Sequence, residues 1–92
     1  MANPAQVACA ADSWTKIMTN KTEGRAWIQF AVPPLKTLPP VYVAWVDTGG
    51  TAPSDTTGAV RLTDGVIEFS RSAASDVYVY PEAAALNFLV DA

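Results

Sequence analysis

The feature that most constrains this chain is its punctuation. Seven prolines and five glycines break the sequence into runs of five to eight residues rich in Val, Ile, Trp, Tyr and Phe. β-Branched and aromatic side chains fit a pleated surface, and runs of that length suit strands better than packed helices. The pattern predicts an all-β fold: a small antiparallel β-sandwich or barrel-like domain of about six to eight short strands, one about every ten residues. At 92 residues it forms one domain, 1–92, because a second core would not fit. Residues 1–8 are expected as an extended N-terminal arm able to add a strand to a neighbour's sheet.

Taken in order, "WTKIM" (14–18) precedes the turn-like "TNKTEG". "RAWIQFAV" (25–32) then alternates, with Ile28, Phe30 and Val32 on one face and Arg25, Trp27 and Gln29 on the other. Together the two runs predict a hairpin. "PPLKTLPP" (33–40) cannot enter a ladder and reads as a stiff crossover. "VYVAWVD" (41–47) is apolar almost throughout, which suits a strand covered on both sides by two layers, or by one layer and a neighbouring subunit. After a long loop (48–59) come "VRL", the turn "TDG", "VIEFS" (66–70), the turn "RSAASD" and "VYVYP" (77–81). In the tail, Pro81, Glu82 and three alanines could open a helix, whereas Leu86, Phe88 and Val90 alternate as a strand would. The alternation favours the strand.

Composition says where the surface is unusual. Hydrophobic residues make up 50% of the chain and charged residues 16%, against a typical charged share of about 25%. A small domain has proportionally more surface to cover, so apolar area is left over, and a contiguous patch of it marks an interface. Trp27 is the strongest candidate, because its period-two neighbours Arg25 and Gln29 are polar and place the ring on an open face. The candidate interface is Trp27, Arg25 and Gln29, with Pro33, Pro34, Leu35, Pro39 and Pro40 from the crossover.

Other chemistries find little support. The net charge is −3 and Lys16, Lys21, Arg25, Lys36, Arg61 and Arg71 are scattered singly, so no basic stripe exists for nucleic acid. There is no histidine and only one cysteine, Cys9, which excludes an internal disulfide and a Ser-His-Asp triad and argues against zinc. Cys9 reads as a small buried hydrophobe. Asp47, Asp55, Asp64 and Asp76 all fall in predicted loops and read as turn formers rather than calcium ligands. No cofactor or metal is expected. The opening "MANPAQVACAADSW" has neither a basic region nor an apolar run long enough for a signal peptide or a membrane span, so cytoplasmic synthesis and no membrane partner are expected.

"WVDTGG" (45–50) has the local form of an aspartic protease loop, which in a short chain would work as a homodimer with two facing carboxylates. The half-enzyme also needs a downstream apolar pair followed by glycine, and none of the glycines after Asp47 follows such a pair. The alternative reading makes Asp47 a turn residue, with Gly49 and Gly50 supplying positive φ. A non-enzymatic protein is therefore expected.

"WVDTGGTAPSD", "AVRL" with "GVIEFS" behind it, and "SAASDVYVY" together resemble small all-β structural proteins of tailed-bacteriophage virions, of the head decoration or cement type. The resemblance covers residues 41–81, with weaker agreement at "ANPAQV"; "PPLKTLPP" and "PEAAAL" lie outside its pattern. It implies a β-sandwich without catalytic residues that binds the major capsid protein or another virion component as a dimer or trimer, on the phage head surface. Two alternatives stay open: a carbohydrate- or receptor-binding β-sandwich that uses its aromatics, and a head-tail connector or tail component.

Overall fold

The computed structural model describes residues 5–29, 40–55, 59–62, 66–82 and 85–91. The chain is all-β, with six strands among the described residues: β1 (Ala5–Cys9), β2 (Thr15–Gln29), β3 (Val41–Asp47), β4 (Val60–Arg61), β5 (Val66–Pro81) and β6 (Leu86–Asp91). They form one antiparallel sheet in the order β1-β6-β2-β5-β3-β4. The tail resolves as strand β6, paired with both β1 and β2. Of the expected arm 1–8, residues 5–8 belong to strand β1 of this sheet, and residues 1–4 lie outside the described residues. The crossover from 33 to 39 lies outside the described residues.

Two strands are much longer than the sequence pattern predicts. No hairpin forms between 14–18 and 25–29: β2 runs unbroken for 15 residues through "TNKTEG", while residues 30–32 of the expected second run, Phe30 and Val32 among them, lie outside the described residues. Likewise β5 runs for 16 residues through "RSAASD". The reason is mutual pairing, because the polar middle of each strand finds its ladder partner in the other. The surplus residues are absorbed as bulges. From Lys21 to Glu23 β2 advances two positions while β5 moves five, from Ser75 to Ser70, so three extra residues swing out on β5. Arg71 Nη1 donates to Ser75 Oγ at 3.0 Å, and that hydroxyl donates to the Ala73 carbonyl at 3.3 Å, pinning the excursion.

On β2 the surplus falls earlier. Met18 to Lys21 spans three positions against two on β5, and Lys16 to Met18 two against one. Ile17 and Met18 are consequently both buried, although they are adjacent in sequence. Asn20 takes a left-handed φ of +58° within this stretch. Its turn propensity is spent on a bulge rather than on reversing the chain.

The sheet curls over a single core. β1 and β5 are three positions apart in the order, about 14 Å if the sheet were flat, yet they are in contact. The Asp12 N–H, just beyond β1, donates to the Pro81 carbonyl at the end of β5 at 2.7 Å. The shortest dimension, 19 Å, fits two layers stacked about 10 Å apart. Cys9, Ile17, Met18, Ala26, Ile28, Val41, Val43, Leu62, Ile67, Val77, Val79 and Phe88 fill the space between, with Val7, Trp45, Phe69, Leu86 and Val90 packed around them.

Candidate functional site

The curl buries one face of each strand and turns the other outward. Along β2, Ala26 and Ile28 are buried while Arg25 is exposed and Trp27 half-buried. Directly cross-strand residues share a face. Trp27 stands opposite Val66 on β5 and Leu89 on β6, and Arg25 stands opposite Glu68 and Asp91. The outer face therefore carries a row of Val66, Trp27 and Leu89 beside a row of Glu68, Arg25 and Asp91. Val66 is 42% exposed; with Val60, it is the large hydrophobic residue most open to solvent among the described residues.

Arg25 holds the two rows together. Its guanidinium carbon lies 5.7 Å from the centre of the Trp27 ring, and its Nη2 is 3.5 Å from Asp91 Oδ2. A cation over this half-buried indole contributes about 0.5–1 kcal/mol, and the solvent-exposed ion pair adds about 1 kcal/mol at most. Their effect is positional: together they bias the orientation of the ring on this face. Beside Arg25 lies an open depression of about 600 Å³ lined by Glu23, Gly24, Glu68, Phe69, Ser70 and Asp91.

Of the residues singled out from sequence, Arg25 and Trp27 are thus brought together on the outer face. Gln29 closes β2 opposite Asn87. Pro40 is not part of this face: its carbonyl accepts from the Glu82 N–H at 2.9 Å, beside the pairing of Val41 with Pro81, at the opposite end of β5 from Val66. Pro33, Pro34, Leu35 and Pro39 lie outside the described residues. Val66 and Leu89 were missed, although the alternation of "VIEFS" already sets Val66 and Glu68 on one face against Ile67 and Phe69.

A second group of outward side chains lies at the other end of the sheet. Tyr80 contacts Trp14 at 5.3 Å and Tyr42 at 6.4 Å between ring centroids, with planes inclined by 52° and 62°. Tyr42 meets Tyr80 edge to face and Trp14 meets it at a tilt, so the three rings partly cover the outer side of β3 and β5. β3 is buried on its inner face, where Val41 and Val43 are fully covered, and half-buried on its outer face at Tyr42, Ala44 and Val46.

The titratable residues have structural settings. Asp47 ends β3 in a tight turn: the Gly50 N–H donates to the Asp47 carbonyl at 2.8 Å, with Gly49 at φ +86° in the position a type II turn reserves for glycine. Asp76 corrects its assignment to a loop, because it lies within β5 and is only 3% exposed. Asp64 lies outside the described residues, and among those described no three Asp, Glu, Cys or His side chains converge as a metal site would require. Burial pushes the Cys9 thiol up to about 11, partly offset by a hydrogen bond with the Thr15 side chain. A thiol held protonated is a poor nucleophile. Comparison with protein-family models, curated proteins and solved structures found no match for this chain.

Proposed function

We propose that this protein is a non-enzymatic structural component of a tailed-bacteriophage virion, of the decoration or cement type, that covers and stabilises an assembled shell. The observation that carries the reading is the outer face centred on Trp27: an aromatic ring between Val66 and Leu89, rimmed by Arg25, Glu68 and Asp91. An apolar aromatic centre with a charged rim is the anatomy of a protein interface, and Trp and Arg are its most frequent energetic anchors. The sparse charge of the chain, 16%, and the resemblance over residues 41–81 support the same reading.

The mechanism is linkage. A protein that binds only the assembled lattice stabilises that lattice by the free energy of contact. A standard interface of about 1,600 Å² suffices per copy, and repetition over the shell multiplies the effect. Co-sedimentation with assembled phage heads from the same source tests this: the wild type pellets with the heads, Trp27→Ala stays in solution, and Asp47→Asn pellets like the wild type. A wild type that never pellets with heads, tails or connectors refutes the reading.

The row Trp14, Tyr80 and Tyr42 favours a second reading, a glycan- or receptor-binding module. Because its rings are inclined to one another, a sugar would stack on one ring at a time rather than along a flat platform. A glycan array decides it: a signal abolished by Tyr80→Ala and kept in Trp27→Ala would favour glycan recognition over shell binding.

A further inference from the structure

We propose that two copies of this chain pair antiparallel along the outer edge of β1, centred on Val7, to form one continuous sheet. The inference rests on reading the protein as a shell component and supplies the contact between its copies. Among the described residues, the strand edges without a neighbouring strand include β4, residues 67–70 of β5 on the side away from β2, and β1. They differ in how they are protected. β4 has two residues, one of them Arg61. The β5 stretch contains Glu68, and pairing it with its own copy about that residue would set two carboxylates against each other.

β1, "AQVAC", has no charge and no proline. It pairs with β6 from Ala5 to Cys9 without a register shift, so its backbone is regular and its far edge continues the ladder. Proteins that must stay monomeric blunt such an edge with lysine, proline or a bulge. β1 has none of these. Its charge pattern also permits self-pairing, since every residue it would place opposite the partner is neutral.

Centring on Val7 uses all five residues of the strand. Val7 then faces the partner's Val7, Gln6 faces the partner's Ala8, and Ala5 faces the partner's Cys9. Val7 packs against the core cluster, so a pair of these β-branched side chains extends the two cores toward each other. Gln6 and Ala8 are exposed on the outer face, where a small side chain meets an uncharged one.

The geometry has a consequence for binding. The two-fold axis of such a pair runs perpendicular to the sheet, so both Trp27 faces point the same way. β2 lies two strands in from β1, so five strand spacings, about 24 Å measured along the curled sheet, separate the two Trp27 rows. The dimer thus offers two equivalent faces to one lattice, and each contact raises the effective concentration of the other. Five paired residues bury less than the roughly 1,200 Å² of a stable complex, so pairing is reversible in dilute solution and tightens when a shell holds the copies together.

Disulfide trapping in the full chain tests the register. In a Cys9→Ala background, Val7→Cys is compared with Gln6→Cys and Ala8→Cys under mild oxidation at high protein concentration. Opposed Cα atoms in an antiparallel pair lie about 4.5–5.5 Å apart, inside the span of a disulfide, so Val7→Cys should cross-link about tenfold faster than either neighbour. Equal rates at all three positions, or no cross-linking, overturn the proposal. If Val7→Cys fails to fold, sedimentation velocity of the wild type against the exposed variant Ala8→Lys decides: a dimer weakened about tenfold by an edge lysine supports the pairing, and identical profiles overturn it. Cross-linking at Val7 without head binding would retain this inference and condemn the proposed function; head binding without cross-linking would do the reverse.

Discussion

The backbone N–H of Asn20 donates to Oδ1 of Asp76 at 3.0 Å, joining residues 56 positions apart in the chain. Oδ2 of the same carboxylate is 3.6 Å from Lys16 Nζ, and that ammonium lies 5.8 Å from the centre of the Tyr78 ring. A carboxylate this deeply buried costs several kcal/mol unless it is hydrogen-bonded and paired. Here one oxygen takes the N–H of the bulge and the other faces a cation, so Asp76 fastens the irregular part of β2 onto β5.

Removing that carboxylate should therefore cost more than removing its cation. Asp76→Ala leaves the Asn20 N–H without its acceptor and is expected to destabilise by about 2–3 kcal/mol. Asp76→Asn keeps an accepting oxygen and should lose about 1 kcal/mol. Lys16→Ala leaves the buried carboxylate hydrogen-bonded but without its cation; because the Lys16 side chain is 42% exposed, the loss should be about 1–2 kcal/mol, still below that of Asp76→Ala. Urea midpoints of the three variants check the order; an Asp76→Ala as mild as Lys16→Ala would remove the fastening role.

Backbone conformation makes a separate prediction at two positions. At Asn20, with φ +58°, glycine should be tolerated within about 0.5 kcal/mol, whereas valine should cost about 1–2 kcal/mol or more. At Gly50, an added Cβ would lie 2.8 Å from Val46 Cγ1 and 2.9 Å from the Asp47 carbonyl oxygen, so Gly50→Ala should destabilise by about 1–3 kcal/mol. Thermal unfolding of the variants measures both. An unperturbed Gly50→Ala would mean that the turn after β3 is looser than its geometry implies.

These positions also mark what the sequence could reveal. Strand faces were legible where alternation was clean, with Ile28 inward against Trp27 outward and Phe88 in the core; in β5 every residue from Ser75 to Val79 is buried, so burial there does not alternate. The lengths of β2 and β5 were not legible. "TNKTEG" and "RSAASD" have the composition of turns, and each does depart from regular strand geometry, but as bulges in strands that pair with each other. Local propensity registers the departure and is blind to the partner 50 residues away that keeps the chain from reversing. Asp76 illustrates the same limit, since its acceptors' partners come from β2. Trp27 was identifiable from its polar neighbours Arg25 and Gln29, but its apolar flanks Val66 and Leu89 depend on strand order, which no local pattern contains.

Cys9 gives the fold an alkaline limit. Its thiol titrates near 11 in the folded chain against 9.0 for the free group, so the folded state holds the proton more tightly than the unfolded state does. Below pH 9 both states are protonated and the thiol is neutral toward stability. Between pH 9 and about 11 the unfolded chain ionises first and stability falls, by roughly 2–3 kcal/mol at most. Urea midpoints at pH 8 and 10.5, compared with those of Cys9→Ala, isolate the thiol's contribution. The wild type should lose more than the variant, and equal losses would show that Cys9 is not the group responsible.

Phe88 and Trp27 separate what holds the fold from what faces outward. Phe88 is fully buried at 0% exposure, in the centre of the core, and its side chain cannot be deleted without leaving a cavity. Phe88→Ala should cost about 3–5 kcal/mol, a large part of the total margin available to a domain of this size. Trp27 lies on the outer face, and beyond its partial burial it loses mainly the Arg25 contact at 5.7 Å, so Trp27→Ala should cost about 1 kcal/mol. Under the proposed shell-binding role, binding should show the opposite order. An anchor ring at the centre of an interface contributes about 2 kcal/mol or more, which means at least a 30-fold loss of affinity on truncation. Denaturation midpoints and lattice-binding isotherms on the same two variants therefore cross: Phe88→Ala is weakly folded yet binds in whatever fraction remains native, and Trp27→Ala is well folded and does not bind. If instead Trp27→Ala destabilises as strongly as Phe88→Ala, the indole belongs to the core and the outer face loses its anchor.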